Sequence, residues 1–246
     1  MFSFKKTNPT FQFYSSVPGV KEEFPIIESK EYKRKWVSPV ANSYKTITDD
    51  INNYGKPFTG VAKCPGIFGV LHTGWIVTSW FDFIIETKDN GKSVGYRIPP
   101  FLKDSVASSN SFNKSLINMM NLELPQMKIP IPPQSLNLLI KISTPWHVEI
   151  PKGWNLLIAP VSYSDESRFT SSTGILRPGD QEINPQLFWH QLNGTELIPA
   201  GTPLCQLIPV PDKTINFDFN CLDFTEKQTN DRASSLFKNS FGFVKK

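Results

Sequence analysis

Apolar and polar positions alternate differently in three stretches of the chain. Through residues 1–30, Pro9, Pro18, Gly19 and Pro25 interrupt any period, while Phe11, Phe13 and Tyr14 offer anchors. That pattern predicts an extended arm packed on a body or on a neighbour. Residues 29–37 predict a short helix, with Ser29 as its cap, Tyr32 and Trp36 four apart on one face, and Pro39 as its stop. A second short helix is expected over 41–53, followed by Gly55.

From Cys64 onward the pattern turns to β. The apolar run 67–71 predicts a buried strand, and 74–80 and 81–87 are β-branched and aromatic. Asn90-Gly91 marks a hairpin turn, with 93–98 as the returning strand. Residues 99–135 carry Pro99, Pro100, Pro125, Pro130, Pro132 and Pro133 and a Ser/Asn-rich patch. They read as an insertion, with a short helix at 112–121. Further strands are expected at 136–143, 146–150, 154–159 and 186–192, closed by 198–209. Pro151-Lys152-Gly153 and Asn193-Gly194 form the turns. After Pro211 a tail begins, with a short helix at 225–237. The domain reading is an N-terminal arm with short helices over 1–60, a core over 61–212 with its insertion at 99–135, and a C-terminal tail over 213–246.

Composition agrees with a mainly β protein. Of 246 residues 39% are hydrophobic and only 20% charged, with 21 Pro and 19 Phe. A low charge fraction rich in Phe and Pro excludes a coiled coil and a disordered chain. The formal charge of +4 is too mild and too dispersed for a nucleic-acid partner. Cys64, Cys205 and Cys221 are odd in number and lack a CxxC pair, so they read as apolar thiols rather than disulfides or zinc ligands. The first residues lack the apolar stretch of a signal peptide. No apolar run nears the roughly 18 residues of a membrane span. The expected location is the host cytoplasm or a virion, without a membrane.

Local motifs of catalysis are missing. There is no Gly-x-Ser-x-Gly elbow, dinucleotide fingerprint or Walker loop. His72, His147 and His190 show no metal spacing, and each reads as a strand histidine bonded to a neighbour. The basic residues Lys30, Lys33, Arg34 and Lys35, beside Tyr32 and Trp36, read as a solvated face, with phosphate binding as the sharper alternative. The carboxylates Glu149, Asp165, Glu166, Asp180 and Glu182 read as surface loop acids, with a general base among them as the alternative.

The order of features from Ile142 to Leu207 carries a resemblance. It runs through Pro151-Lys152-Gly153, Ala159-Pro160-Val161-Ser162, Gly174-Ile175-Leu176, Glu182-Ile183 and Gly201-Thr202-Pro203-Leu204-Cys205-Gln206. It resembles the dUTPase and dCTP-deaminase superfamily, whose β-clip subunits, distorted jelly rolls, form homotrimers. The resemblance places Pro160 and Ser162 in the phosphate-contacting segment, with Val161 where that family has Arg. It places Gly174 and Ile175 at the start of the uracil loop, with Arg177 where that family has Asp. Glu182 matches the later acid and Gln206 the final Gln. Asp82 faintly matches the magnesium-coordinating segment, and Ser240-Phe241-Gly242-Phe243 the C-terminal one, without its Arg. Losing the Arg and the loop Asp together argues against ordinary dUTP hydrolysis.

The whole chain also resembles an uncharacterised family of marine tailed phages, cyanophages included. The carrying segments are Lys63-Cys64-Pro65-Gly66-Ile67-Phe68, Thr73-Gly74-Trp75-Ile76-Val77, Gly174-Ile175-Leu176, Pro185-Gln186-Leu187-Phe188-Trp189 and Pro199-Ala200-Gly201-Thr202-Pro203-Leu204.

The missing catalytic set, the arm and the exposed-looking aromatics, set beside the two resemblances, lead to the expectation of a non-enzymatic phage binding or structural protein on a trimeric scaffold, virion-associated or active in host takeover. Residues 1–30 and 213–246 are the expected protein contacts. The alternatives are a divergent nucleotide-acting enzyme, for which magnesium would be needed, or a nucleotide sponge that binds without chemistry. The candidate ligand pocket is Ser162, Arg168, Arg177, Asp180, Glu182 and Gln206. Arg168 and Arg177 are its expected phosphate contacts, because a guanidinium fork matches phosphate oxygens. No metal ligands and no resident cofactor are expected.

Overall fold

The computed structural model describes residues 9–37, 64–100, 102, 116–121 and 131–212. Within them the chain is mainly β, with four antiparallel sheets, none of which closes on itself. The chain divides into two compact units, Met1–Arg34 with Gly69–Lys213, and Lys35–Phe68 with Thr214–Lys246. All four sheets lie in the first.

The longest strand, β15 (Pro203–Pro211), organises the largest sheet. It pairs with β9 (Trp154–Ala159) on one side and β3 (Trp75–Thr78) on the other. Beyond them lie β11 (Gly174–Leu176) and β2 (Ile27–Glu28), giving the order β11-β9-β15-β3-β2. A second sheet orders β10 (Phe169–Ser171), β13 (Gln186–Trp189), β7 (Leu138–Ile142) and β6 (Ile117–Asn121). A third places β8 (Trp146–Ile150) between β1 (Gln12–Ser15) and β12 (Gly179–Glu182). The fourth is β14 (Gly194–Ile198), β4 (Phe83–Lys88) and β5 (Ser93–Arg97).

Period-2 alternation divides the buried side chains between two clusters. One joins Phe83, Ile85, Ile140, Ile142, Leu187 and Trp189, and the other joins Val77, Trp146, Val148, Leu156, Ile183 and Leu207. On β15, Leu204 enters the first cluster and Cys205 the second, so this strand ties both together. Burial pushes the Cys205 thiol well up, which keeps it an inert apolar group, whereas Cys64 is exposed.

Of the two Asn-Gly signals read from the sequence, Asn90-Gly91 forms the β4–β5 turn, whereas Asn193 is a bend and Gly194 already begins β14. Asp89, Asn90 and Gly91 all take positive φ between β4 and β5. The Asn90 backbone N–H donates to Asn193 Oδ1 at 2.9 Å, joining this turn to the bend before β14.

The N-terminal arm packs on its own body. Phe11 and Phe13 bring their rings 5.3 and 5.1 Å from Trp75, and β1 adds to β8. Within the arm, α1 (Val20–Glu23) buries Val20 in the second cluster.

Three expected elements differ. The expected strand at 67–71 is instead part of α2 (Pro65–Leu71). An apolar run of this length fits either element, and Pro65 supplies the preset φ of a first helical position. The expected helix at 29–37 is replaced over 29–36 by turns and irregular chain. Ser29, the expected cap, donates its hydroxyl to Leu71 O at 2.8 Å and its backbone N–H to Gly74 O at 2.9 Å. Arg34, expected on a solvated face, is buried, and Lys30 is paired with Glu28. The expected helix at 112–121 is β6 over its described C-terminal part, paired to β7 with Ile117 opposite Ile142 and Met119 opposite Ile140. The expected helices at 41–53 and 225–237 lie outside the described residues.

Candidate functional site

The antiparallel β9–β11 register separates the candidates, with Ser162 beyond the end of β9 and Arg177 beside its start, while β8–β12 pairing carries Asp180 and Glu182. Ser162 follows β9, Arg177 links β11 to β12, and Asp180 and Glu182 lie on β12. Their side chains, however, serve different ends.

Gln206 is fully buried at the middle of β15. Its Oε1 accepts the Ser162 backbone N–H at 3.1 Å. Its Nε2 donates to Thr73 O at 2.8 Å, Val70 O at 2.9 Å and Ser29 Oγ at 3.3 Å. Ser162 in turn offers its carbonyl to Arg34 Nε at 2.8 Å. Arg34 stands over the Tyr32 ring at 5.1 Å, and burial lowers its pKa. These residues lock the N-terminal arm, the α2–β3 link and the β9 exit onto β15.

Arg168 is likewise engaged. Its Nε and Nη2 fork onto Glu166 at 2.8 and 2.6 Å, and its Nη1 donates to Leu197 O. Burial alone would raise the Glu166 carboxyl, but the Arg168 hydrogen bonds outweigh it and hold the group below its usual range.

The outer face of β1-β8-β12 carries the next group. Register aligns Tyr14, His147 and Glu182 in one row and Gln12, Glu149 and Asp180 in the next. The Tyr14 ring stacks on His147 at 5.3 Å with an interplanar angle of 14°. Asp180 Oδ1 lies 3.5 Å from His147 Nδ1. A hydrogen bond to Asp180 pushes the Tyr14 phenol up to about 12. Asp180 therefore fastens β1 to the sheet. Asp82, at a distance from this face, accepts the Ala200 backbone N–H at 2.7 Å.

Glu182 belongs to a separate polar cleft of about 290 Å³ beside β11. Its polar lining is Lys141, Ser172, Thr173, Glu182, Asn184 and Gln186. Ile158 and Leu176 add apolar surface. Asn184 Nδ2 donates to Glu182 Oε2 at 3.1 Å, and its Oδ1 accepts the Thr144 N–H at 3.2 Å. Lys141 makes no ion pair among the described residues, and neither does exposed Arg177. Among the described residues the cleft thus offers one cation without an ion pair, Lys141, with several amides and hydroxyls and a carboxylate, a set suited to holding a small polar ligand.

The six candidates do not form one pocket. Ser162, Arg168 and Gln206 are bound into the frame, Asp180 into the arm contact, and Glu182 lines the cleft. No cluster of three metal-ligating side chains is present among the described residues.

Sequence motifs missed a second constellation. His190 Nδ1 lies 2.8 Å from Ser135 Oγ, and its Nε2 lies 3.0 Å from Thr170 Oγ1. The three residues are too far apart in sequence for any local pattern. Only the β10–β13 pairing and the Pro-rich approach to β7 bring them together.

Among the described residues no helix is long and apolar enough to cross a membrane. Comparison with protein-family models and with curated proteins finds no match to the chain.

Proposed function

We propose that the chain is a binding or structural protein of phage type, non-enzymatic toward nucleotides, on a β-clip scaffold resembling dUTPases. On this reading it forms a homotrimer and serves in the virion or in host takeover. Residues 213–246 and the outer side of 1–30 meet its protein partners.

One observation carries the reading. The side chains that a phosphoryl-transfer site would need free are engaged inside the fold: Gln206 Nε2 donates to internal carbonyls, and each nitrogen of the Arg168 guanidinium donates to an internal acceptor. A polar group spent on the frame contributes rigidity, not transition-state charge stabilisation. Assembly is further supported by edge strands with exposed apolar residues, Ile175 on β11 at 58% and Leu197 on β14 at 50% exposure.

The sponge reading is favoured by one feature, the polar cleft beside the β11 lip with Lys141 inside it. A thermal-shift series with dUTP, dCTP and cyclic nucleotides, with and without magnesium, separates the two. Binding must raise the melting temperature by mass action. No shift with any of them supports the structural reading, and a shift without product formation supports the sponge. Nucleotide turnover would overturn both, and a monomeric mass by light scattering would overturn the trimer.

A further inference from the structure

The Ser135–His190–Thr170 arrangement has the parts of an activated nucleophile, and it opens on a different cleft from the one above. Ser135 lines a hollow of about 720 Å³, within the roughly 300–1,000 Å³ of small-molecule sites. Met119, Leu138 and Leu192 give that hollow an apolar wall, and Lys92 and Asn90 give it polar groups.

The turn that presents Ser135 is constrained. Its backbone N–H donates to Pro132 O at 3.2 Å, and Gln134, just before it, sits at φ 61°. That left-handed position usually falls to glycine or asparagine, and backbone strain of this kind collects at functional sites. The imidazole is held as firmly. The His190 backbone N–H donates to Arg168 O at 2.8 Å, and β13 ends immediately before it.

The two ring bonds fix complementary roles. A neutral imidazole has one N–H and one lone pair. With the proton on Nε2, the ring donates to Thr170 Oγ1, and Nδ1 accepts the Ser135 hydroxyl proton. Burial lowers the pKa of His190, so the ring stays neutral and basic at neutral pH.

We propose that Ser135 is a nucleophile activated by His190, with Thr170 as the residue that positions the ring, and that it takes acyl groups from esters with an apolar acyl chain. Ser135 Oγ bonds the acyl carbon as its proton passes to His190 Nδ1. The ester C–O bond breaks, and the alcohol leaves with that proton. Water then adds to the acyl-serine, giving a proton to Nδ1. The carboxylic acid leaves as Ser135 regains its proton. The sum is ester plus water to acid plus alcohol, with no other reactant. Lys92 supplies positive charge to the lining of the cleft in which the oxyanion forms.

The test is covalent labelling of the full chain by an alkyl fluorophosphonate, in which Oγ bonds phosphorus and fluoride leaves. Intact mass and peptide mapping locate the adduct, and p-nitrophenyl butyrate hydrolysis is followed alongside. The expected result is one adduct on Ser135, none in S135A, and labelling slower by about 10²-fold or more in H190Q, the usual loss when a general base is removed. T170V should slow labelling and T170S restore it, which a purely structural threonine would not do.

Absence of an adduct on Ser135 in the wild-type protein overturns the proposal. So does labelling at the wild-type rate in folded H190Q. Should H190Q fail to fold, the wild-type map and the T170V/T170S pair decide the question. Nucleotide binding at the β11 cleft stands or falls separately, because none of these residues lines it.

Discussion

Gln206→Leu separates a frame residue from a ligand contact. The substitution keeps much of the side-chain volume and removes the amide. It leaves the Ser162 N–H and the Val70 and Thr73 carbonyls without their partner, which now sits at 3.1, 2.9 and 2.8 Å. Ser29 Oγ keeps its bond to Leu71 O. At a net ~1 kcal/mol for each lost hydrogen bond, the expected loss is about 3 kcal/mol. The three stranded groups are only part-buried, so water moderates the upper end of that figure. Gln206→Glu should cost more. It places an oxygen where Nε2 now donates to two carbonyls, at a site with no exposure. The chain has two compact units, so a single global transition is a poor gauge. Amide hydrogen exchange at Ser162, read with urea melts followed by tryptophan fluorescence, gives the local measure. Loss of Ser162 protection in Gln206→Leu, with Gln206→Glu less stable still, is the expected outcome. A loss under about 1 kcal/mol, or full Ser162 protection, would refute the frame role.

Other substitutions probe other parts of the frame. Gly74→Ala forces φ +75° on a residue whose Cβ would stand 1.8 Å from Leu207 O, so β15 must shift from β3. The expected loss exceeds about 2 kcal/mol by thermal denaturation, more than the left-handed strain alone. Arg168→Met strands the half-buried Glu166 carboxylate and should cost about 1–3 kcal/mol, below a fully buried pair because Arg168 retains solvent contact. Glu166 is more acidic folded than unfolded. Its contribution is therefore present above the unfolded value near 4.5 and is lost as pH falls through the folded one. Urea titrations across that acid range should show a shallower decline in Arg168→Met than in the parent. Phe13→Ala removes a ring packed on Trp75 and should cost about 1–2 kcal/mol, with faster proteolysis within the arm.

What the sequence could convey tracks how local each cause is. The Asn90-Gly91 turn, and the strands β3, β4, β5, β7, β8, β9 and β13, were legible because turn chemistry and alternation are local, whereas Asn193-Gly194 is a bend that leads into β14 rather than a turn. β12 was not, since Gly179-Asp180-Gln181-Glu182 has no apolar alternation. It is a strand because its backbone pairs with β8. The same holds for β1 and β2, two short strands in a Pro-broken arm whose edge partners lie more than 40 residues away. α2 was misread because five apolar residues fit either element until tertiary packing chooses. Of the residues that the motif order singled out, Gly174, Ile175 and Glu182 line the polar cleft. The same order also drew in Gln206, whose role depends on residues 29, 70, 73 and 162 and on nothing adjacent to it.

Hydrogen-bond saturation distinguishes frame from site in this protein. A glutamine amide has two N–H donors. Gln206 points its Nε2 at three acceptors, so a ligand could bind there only by breaking an internal bond. Arg168 is partly so, with one N–H from each of its three nitrogens committed, out of the five that a guanidinium carries. A buried donor that loses its partner carries its desolvation penalty with no return, so a ligand competing for these groups would work against the fold. Lys141 and Arg177 face no such competition among the described residues. A ligand anion can recruit them without breaking any internal bond. His190 is the intermediate case, since both of its ring nitrogens are bonded, but to hydroxyls that can reverse their roles. When the Ser135 proton passes to Nδ1, that nitrogen becomes the donor and Oγ the acceptor, while Nε2 keeps donating to Thr170, so none of them is left unpaired. That reversibility, absent from the fixed carbonyl and carboxylate partners of Gln206 and Arg168, is why the imidazole can hold the fold together and still work as a base.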